Sequence, residues 1–147
     1  MAAFCIHPLL QDDASLQASL EGRSVFLRHG IDPEIVVLAM EYRQVANAYL
    51  SHHYQGVEDR IALSCLPEVN AMLVADKVQN RKDFELYHWG SHPNSQVLEN
   101  YFANWLRRLN ITEARYQELL ALLDKRTVGQ EFVFDTEATS GGVGSIE

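Results

Sequence analysis

The sequence predicts an all-α fold: a single compact bundle of five or six helices. Three observations lead there. Residues 33–54 place Ile35, Leu38, Tyr42, Val45, Tyr49 and His52 alternately three and four positions apart, the spacing of a helix-packing seam. Residues 97–123 carry two further stripes in succession. One is Val97/Leu98, Tyr101/Phe102, Trp105 and Leu109, and the other is Tyr116, Leu119, Leu120 and Leu123. Strand-like alternation is confined to two short pieces, near 83–93 and at 131–135.

A first helix is expected over 13–21, with Leu16 and Leu20 inward and Gly22 as its stop. A short apolar segment then ends at Gly30, whose freedom to take positive φ suits a helix end. Asp32-Pro33-Glu34 is a strong helix start: a capping acceptor, a proline at the first position and a carboxylate near the positive end of the dipole. This opens the spine helix, which Gly56 breaks. A third helix is expected from about Glu58 to the break at Pro67. Another starts there with Val69, Met72, Leu73 and Val78 inward, and 80–82 reads as a polar connection.

Residues 83–93 form an irregular, aromatic-rich segment, readable as a short strand or a single helical turn, closed by Gly90 and Pro93. Thr112 with Glu113 after it caps the last helix, and the short link 110–112 predicts antiparallel neighbours. The helical domain is assigned to 1–135. Residues 136–147, rich in Gly and Ser, read as a flexible acidic tail.

Composition narrows the function classes. Hydrophobic content of 47% with 22% charged residues argues against wholesale disorder. No apolar run approaches the roughly 20 residues that span a bilayer, so no membrane partner is expected. The N-terminal stretch lacks a basic region before its apolar residues, and the expected compartment is the cytoplasm. Net charge is -8, of which residues 127–147 supply -4. The body is only mildly acidic and offers no basic footprint for nucleic acid. Cys5 and Cys65 form no CxxC and read as free thiols in a reducing compartment, with Cys65 as a small core residue.

Histidines are the first candidates for chemistry. His88 and His92 have the i, i+4 spacing that puts two rings on one helix face, but Gly90 and Pro93 spoil such a helix. His52 and His53 are adjacent, so on a helix they diverge by about 100°. There is no HExxH, no pair of ExxH motifs of the di-iron type, no GxSxG elbow and no phosphate-binding glycine loop. No cofactor is expected. The binding surface is placed where Tyr87, His88, Trp89 and His92 meet His52, His53 and Tyr54. Aromatics and imidazoles there stand at helix breaks, outside core periodicity.

The preferred reading is a cytoplasmic protein-binding protein of adaptor, regulatory or accessory type, with a protein partner or a second copy of itself, and not an enzyme. The alternatives are a metal-dependent enzyme using the histidines, and an acidic inhibitor or mimic acting on a nucleic-acid enzyme. The tail yields a first test. It has few apolar anchors, so deleting 137–147 should leave the thermal midpoint nearly unchanged. A drop of several degrees in a melting experiment would mean that the tail docks.

Overall fold

The computed structural model describes residues 2–21 and 25–128, with side chains through Leu123. The assigned tail lies outside the described residues. The chain begins with α1 (Ala2–Ile6), a 3-10 turn (His7–Leu10), α2 (Asp13–Leu20) and α3 (Val25–Arg28). Then come α4 (Pro33–Ala48), a second 3-10 turn (Ser51–His53), α5 (Pro67–Tyr87), α6 (Ser95–Arg108) and α7 (Glu113–Val128). Five of these helices have eight or more residues, and no strand occurs among the described residues.

Local chemistry explains most boundaries. Asp12 caps α2, its carboxylate accepting from both the backbone N–H and the hydroxyl of Ser15 at 2.8 Å. Asp32 caps α4 by accepting from Glu34 N–H at 2.9 Å, with Pro33 in the first turn. Two helices end in the same paired reversal. After α3, Gly30 takes φ +61° while its N–H donates to Leu27 and that of Ile31 to Phe26. After α6, Asn110 takes φ +59° while its N–H donates to Arg107 and that of Ile111 to Leu106. Each pair satisfies carbonyls that the helix would leave open.

The layers follow from which helices touch. α1, the first 3-10 turn and α2 form one side, α1 and the turn resting on α4. α4 packs on α5, and α5 also receives α6 and α7. The main core gathers Leu10, Phe26, Ala39, Tyr42, Val69, Leu73 and Trp105 among its buried members. A smaller cluster of Val78, Leu106 and Tyr116 lies under α7.

Several expectations change. The most buried line of α4 is Ala39, Tyr42 and Ala46, continued by Tyr49 just past its end, while Ile35, Leu38 and Val45 are half-buried beside it. Leu20 and Val97 face water, and Ser19 is the buried residue of α2, its hydroxyl donating to the Leu9 carbonyl.

The helix expected from Glu58 is absent. The Asp59 carboxylate instead accepts from the N–H groups of Gln55 and Gly56 and from the Tyr49 hydroxyl, which holds the chain in a turn. The segment then runs without helix to Leu66, with Ile61 buried and Leu63 half-buried. Cys65 is exposed, not core. Its neighbour Ser64 turns inward, because Asn70 pairs with both backbone groups of Ser64 and the Ser64 hydroxyl donates to Glu41 at 2.7 Å.

The expected connection at 80–82 is continuous helix. Side chains four apart bridge it: Gln79 to Asp83, Asn80 to Asp76, and Arg81 to Glu85 at 2.7 Å. Phe84 to Tyr87 are therefore the last turn of α5 and not a strand. α7 packs chiefly on α5 rather than back along α6, tied there by Arg81 to Glu113 at 2.9 Å.

Among the described residues, the core includes a charged side chain, Lys77. Lys77 Nζ lies 2.8 Å from the Asp76 carboxylate, 5.1 Å from the Trp105 ring centre and 5.8 Å from that of Tyr101. Burial pulls its pKa down, but Asp76 and then Tyr101 more than offset this, so the ammonium is held above its ordinary value. Burial and the facing Asp76 raise the Tyr42 hydroxyl.

Two outcomes are expected. Lys77→Met should cost about 3–5 kcal/mol, since it leaves the largely buried Asp76 carboxylate without its cation, while Asp76→Asn with Lys77→Met should recover much of that. Because the folded state binds this proton more tightly than the unfolded chain, the pair stabilises fully below the ordinary lysine range. That contribution fades as pH rises through the raised value. Urea titrations of the four-member cycle at neutral and strongly alkaline pH check both statements.

The second outcome concerns Asp59. Its bond from the Gln55 N–H, then that from Tyr49, holds it below the usual carboxylate range. Its contribution is present above the unfolded value, about 3.9, and fades as pH falls through the depressed one. Asp59→Asn should therefore flatten the acid limb of the thermal midpoint plotted against pH. An unchanged limb would refute this role.

Candidate functional site

The corner between α5 and α6 gathers the exposed aromatics that the sequence singles out. α5 stops at Tyr87, and the N–H groups of His88 and Trp89 both donate to the Phe84 carbonyl, at 2.9 and 2.8 Å. Gly90 follows at φ +76°, a conformation that a side chain disfavours, and turns the chain away. The hydroxyls of Ser91 and Ser95 donate back to the His88 carbonyl, and the Asn94 N–H donates to His92 Nδ1 at 3.1 Å. This leaves Leu86 62%, Tyr87 70% and Trp89 50% exposed.

Trp89 lays its ring edge-to-face on the buried Phe84, with centroids 5.7 Å apart. The two rings share a cleft of about 260 Å³ with Arg81, Glu85 and Glu99. Arg81, Glu85 and Trp89 are spaced i, i+4, i+8. Continuing the helix through 80–82 would have revealed that stripe in the sequence.

The charges beneath the cleft form a closed network. The Arg81 guanidinium binds Glu85 and Glu113 and stacks over the Tyr116 ring at 4.2 Å. The Tyr116 hydroxyl donates to the second Glu85 oxygen at 2.8 Å. Burial, then Glu85, raises that hydroxyl. Burial would lower Arg81, yet the Glu113 and Glu85 carboxylates hold it above its ordinary value. Burial would raise Glu113, yet Gln117 and Arg81 hold it low. The Glu85-x-x-His88 spacing occurs here, but both Glu85 oxygens are engaged by Arg81 and Tyr116.

The other half of the expected surface is carried by the second 3-10 turn, which rests on α6. His52 and His53 are exposed on their 3-10 turn with ring centroids 4.0 Å apart, and Tyr54 is half-buried against the main core. No hydrogen bond, ion pair or ring contact among the described residues joins 52–54 to 87–92. Among the described residues no three His, Cys, Asp or Glu side chains converge in a metal-holding group. No described helix is long and apolar enough to cross a membrane. Phe84 belongs to the aromatic-rich stretch that the sequence marks, whereas Arg81, Glu85 and Glu99 join the Trp89 cleft without a signal of that kind.

The chemical offer of the corner is contact area. A half-exposed indole stands beside a carboxylate, Glu99, whose hydrogen-bond partner among the described residues is Gln96 at 2.9 Å. Comparisons of the chain with family models, with curated proteins and with solved structures return no match.

Proposed function

We propose that this chain is a cytoplasmic protein-binding domain that docks its partner at the α5–α6 corner, with Trp89 as the anchor. The observation that carries the reading is the half-exposed Trp89 at the rim of a cleft floored by Phe84, with Leu86 and Tyr87 exposed beside it. A tryptophan in this setting supplies large contact area for little ordering cost and dominates many interfaces. The cleft lining holds one cation, already doubly paired, and two carboxylates. The complementary partner is therefore a protein segment with an apolar side chain to cover the indole and a lysine or arginine to meet Glu99.

Trp89→Ala should weaken binding to the purified partner about 30-fold, the equivalent of roughly 2 kcal/mol, and leave the thermal midpoint unchanged. Val37→Ala, at an exposed position on α4, serves as the control and should leave affinity unaltered. The intrinsic fluorescence gives a second readout, because the other tryptophan, Trp105, is fully buried. The iodide-quenchable emission should come from Trp89 and should become protected when the partner binds. Unchanged affinity in Trp89→Ala, or a variant that unfolds, overturns the assignment.

A further inference from the structure

A second surface lies on the opposite side of α5 from the main core. An open groove of about 350 Å³ runs between α5 and α7, lined by apolar residues alone. Ala71, Ala75 and Val78 come from α5, at i, i+4 and i+7, and Leu119, Leu122 and Leu123 from α7, at i, i+3 and i+4. The small side chains of Ala71 and Ala75 keep the groove open, and Leu122 on its wall is 52% exposed. The groove borders the satellite cluster of Val78, Leu106 and Tyr116, against which its lining residues Val74, Leu119 and Leu123 are only partly buried.

We propose that residues 131–135 of this same chain, which lie outside the described residues, dock in this groove and seat Phe132 and Phe134 against it. The sequence past α7 suits that occupant. α7 ends at Val128, and Gly129 follows directly, the residue type best able to reverse a chain after a helix. Leu122 lies about 9 Å back along the helix from Val128 at 1.5 Å per residue. Four extended residues, from Val128 to Phe132, span up to about 13 Å at 3.3 Å each. Phe132 therefore reaches Leu122, and Phe134 reaches beyond it toward Leu119.

In an extended segment Phe132 and Phe134 project to one side and Val133 to the other, which matches a one-sided apolar slot. Tethering through four residues gives an effective concentration in the millimolar range, which favours this occupant over a dilute second copy. Deletion of 137–147 leaves the docking segment in place, so the two expectations are compatible.

Amide hydrogen exchange on the full chain tests the docking. Residues 131–135 should exchange about tenfold or more slowly than a free peptide of the same sequence. Leu122→Asp places a charge on the groove wall at an exposed position. It should abolish this protection while amides in α5 near Leu73 keep theirs. The double variant Phe132→Ala, Phe134→Ala should shift the methyl resonances of Val78, Leu119 and Leu122 and leave those of Leu10 and Ile61 in place. Free-peptide exchange rates at 131–135 in the unaltered chain overturn the proposal. So does protection that vanishes on dilution together with a dimer in sedimentation, since a second copy would then fill the groove.

Discussion

The helix α5 is the element against which α4, α6 and α7 all pack, and its continuity is the constraint on which the other placements depend. Its 21 residues include no long apolar face. What the sequence supplies instead is a narrow buried line of Val69, Leu73, Lys77 and Phe84, bordered by Met72 and Val78. Polar residues at 79–83 would end many helices at that point. Here they bond to one another four residues apart and carry the helix through. A stop at residue 80 would remove Phe84 from the core and Arg81 from its pairing with α7, and the α5–α6 corner would not exist.

The position of Lys77 on that buried line sets how α5 meets α6. Its ammonium needs the Asp76 carboxylate and the faces of Tyr101 and Trp105, which are themselves one helical turn apart on α6. Sliding either helix by a turn would bury the charge without rings or carboxylate, at a cost of several kcal/mol. An apolar residue at 77 would tolerate such a slide. Neighbouring polar contacts lock the same layer: Asn104 donates to the Tyr49 hydroxyl at 2.9 Å, and that hydroxyl donates to Asp59 at 2.7 Å. Burial and the Asp59 bond push the Tyr49 hydroxyl up to about 12, so it remains a donor at every physiological pH.

Periodicity made the long helices legible, because Tyr42, Tyr49, Phe102 and Trp105 recur at the helical spacing and are all buried. Caps were legible where a side chain acts on its own helix, as Asp32 and Thr112 do. At Cys65 and along 60–66 a partner distant in sequence decides the outcome. Asn70 and Glu41 select Ser64 over Cys65 for the interior, across 6 and 23 residues. Arg108 reaches the Ile61 carbonyl from 47 residues away and helps hold that segment extended. Asp59 is a different case. Its loop clamp is local, but a capping carboxylate reads equally well as a helix start. At the candidate corner, Trp89 stood out in the sequence because it falls at a break. Its cleft partners Arg81 and Glu85 did not, because they depend on α5 continuing past residue 80.

The two tryptophans show how the same side chain is assigned to the core or to the surface. Trp105 is in the last turn of α6, on the buried face that Tyr101 and Phe102 begin, and its ring packs against Tyr49 and is fully buried. Trp89 follows a helix end, where the Phe84 carbonyl captures two successive N–H groups and Gly90 leads the chain off. Its indole meets the Phe84 ring edge-to-face and stays half-exposed. Burying the rest of the indole would require chain beyond the turn to fold back, yet His92 and Ser95 commit that chain to starting α6. The exposed part is therefore a consequence of where two helices must end and begin. It persists without any ligand, and a partner that covers it gains apolar burial at little reorganisation cost.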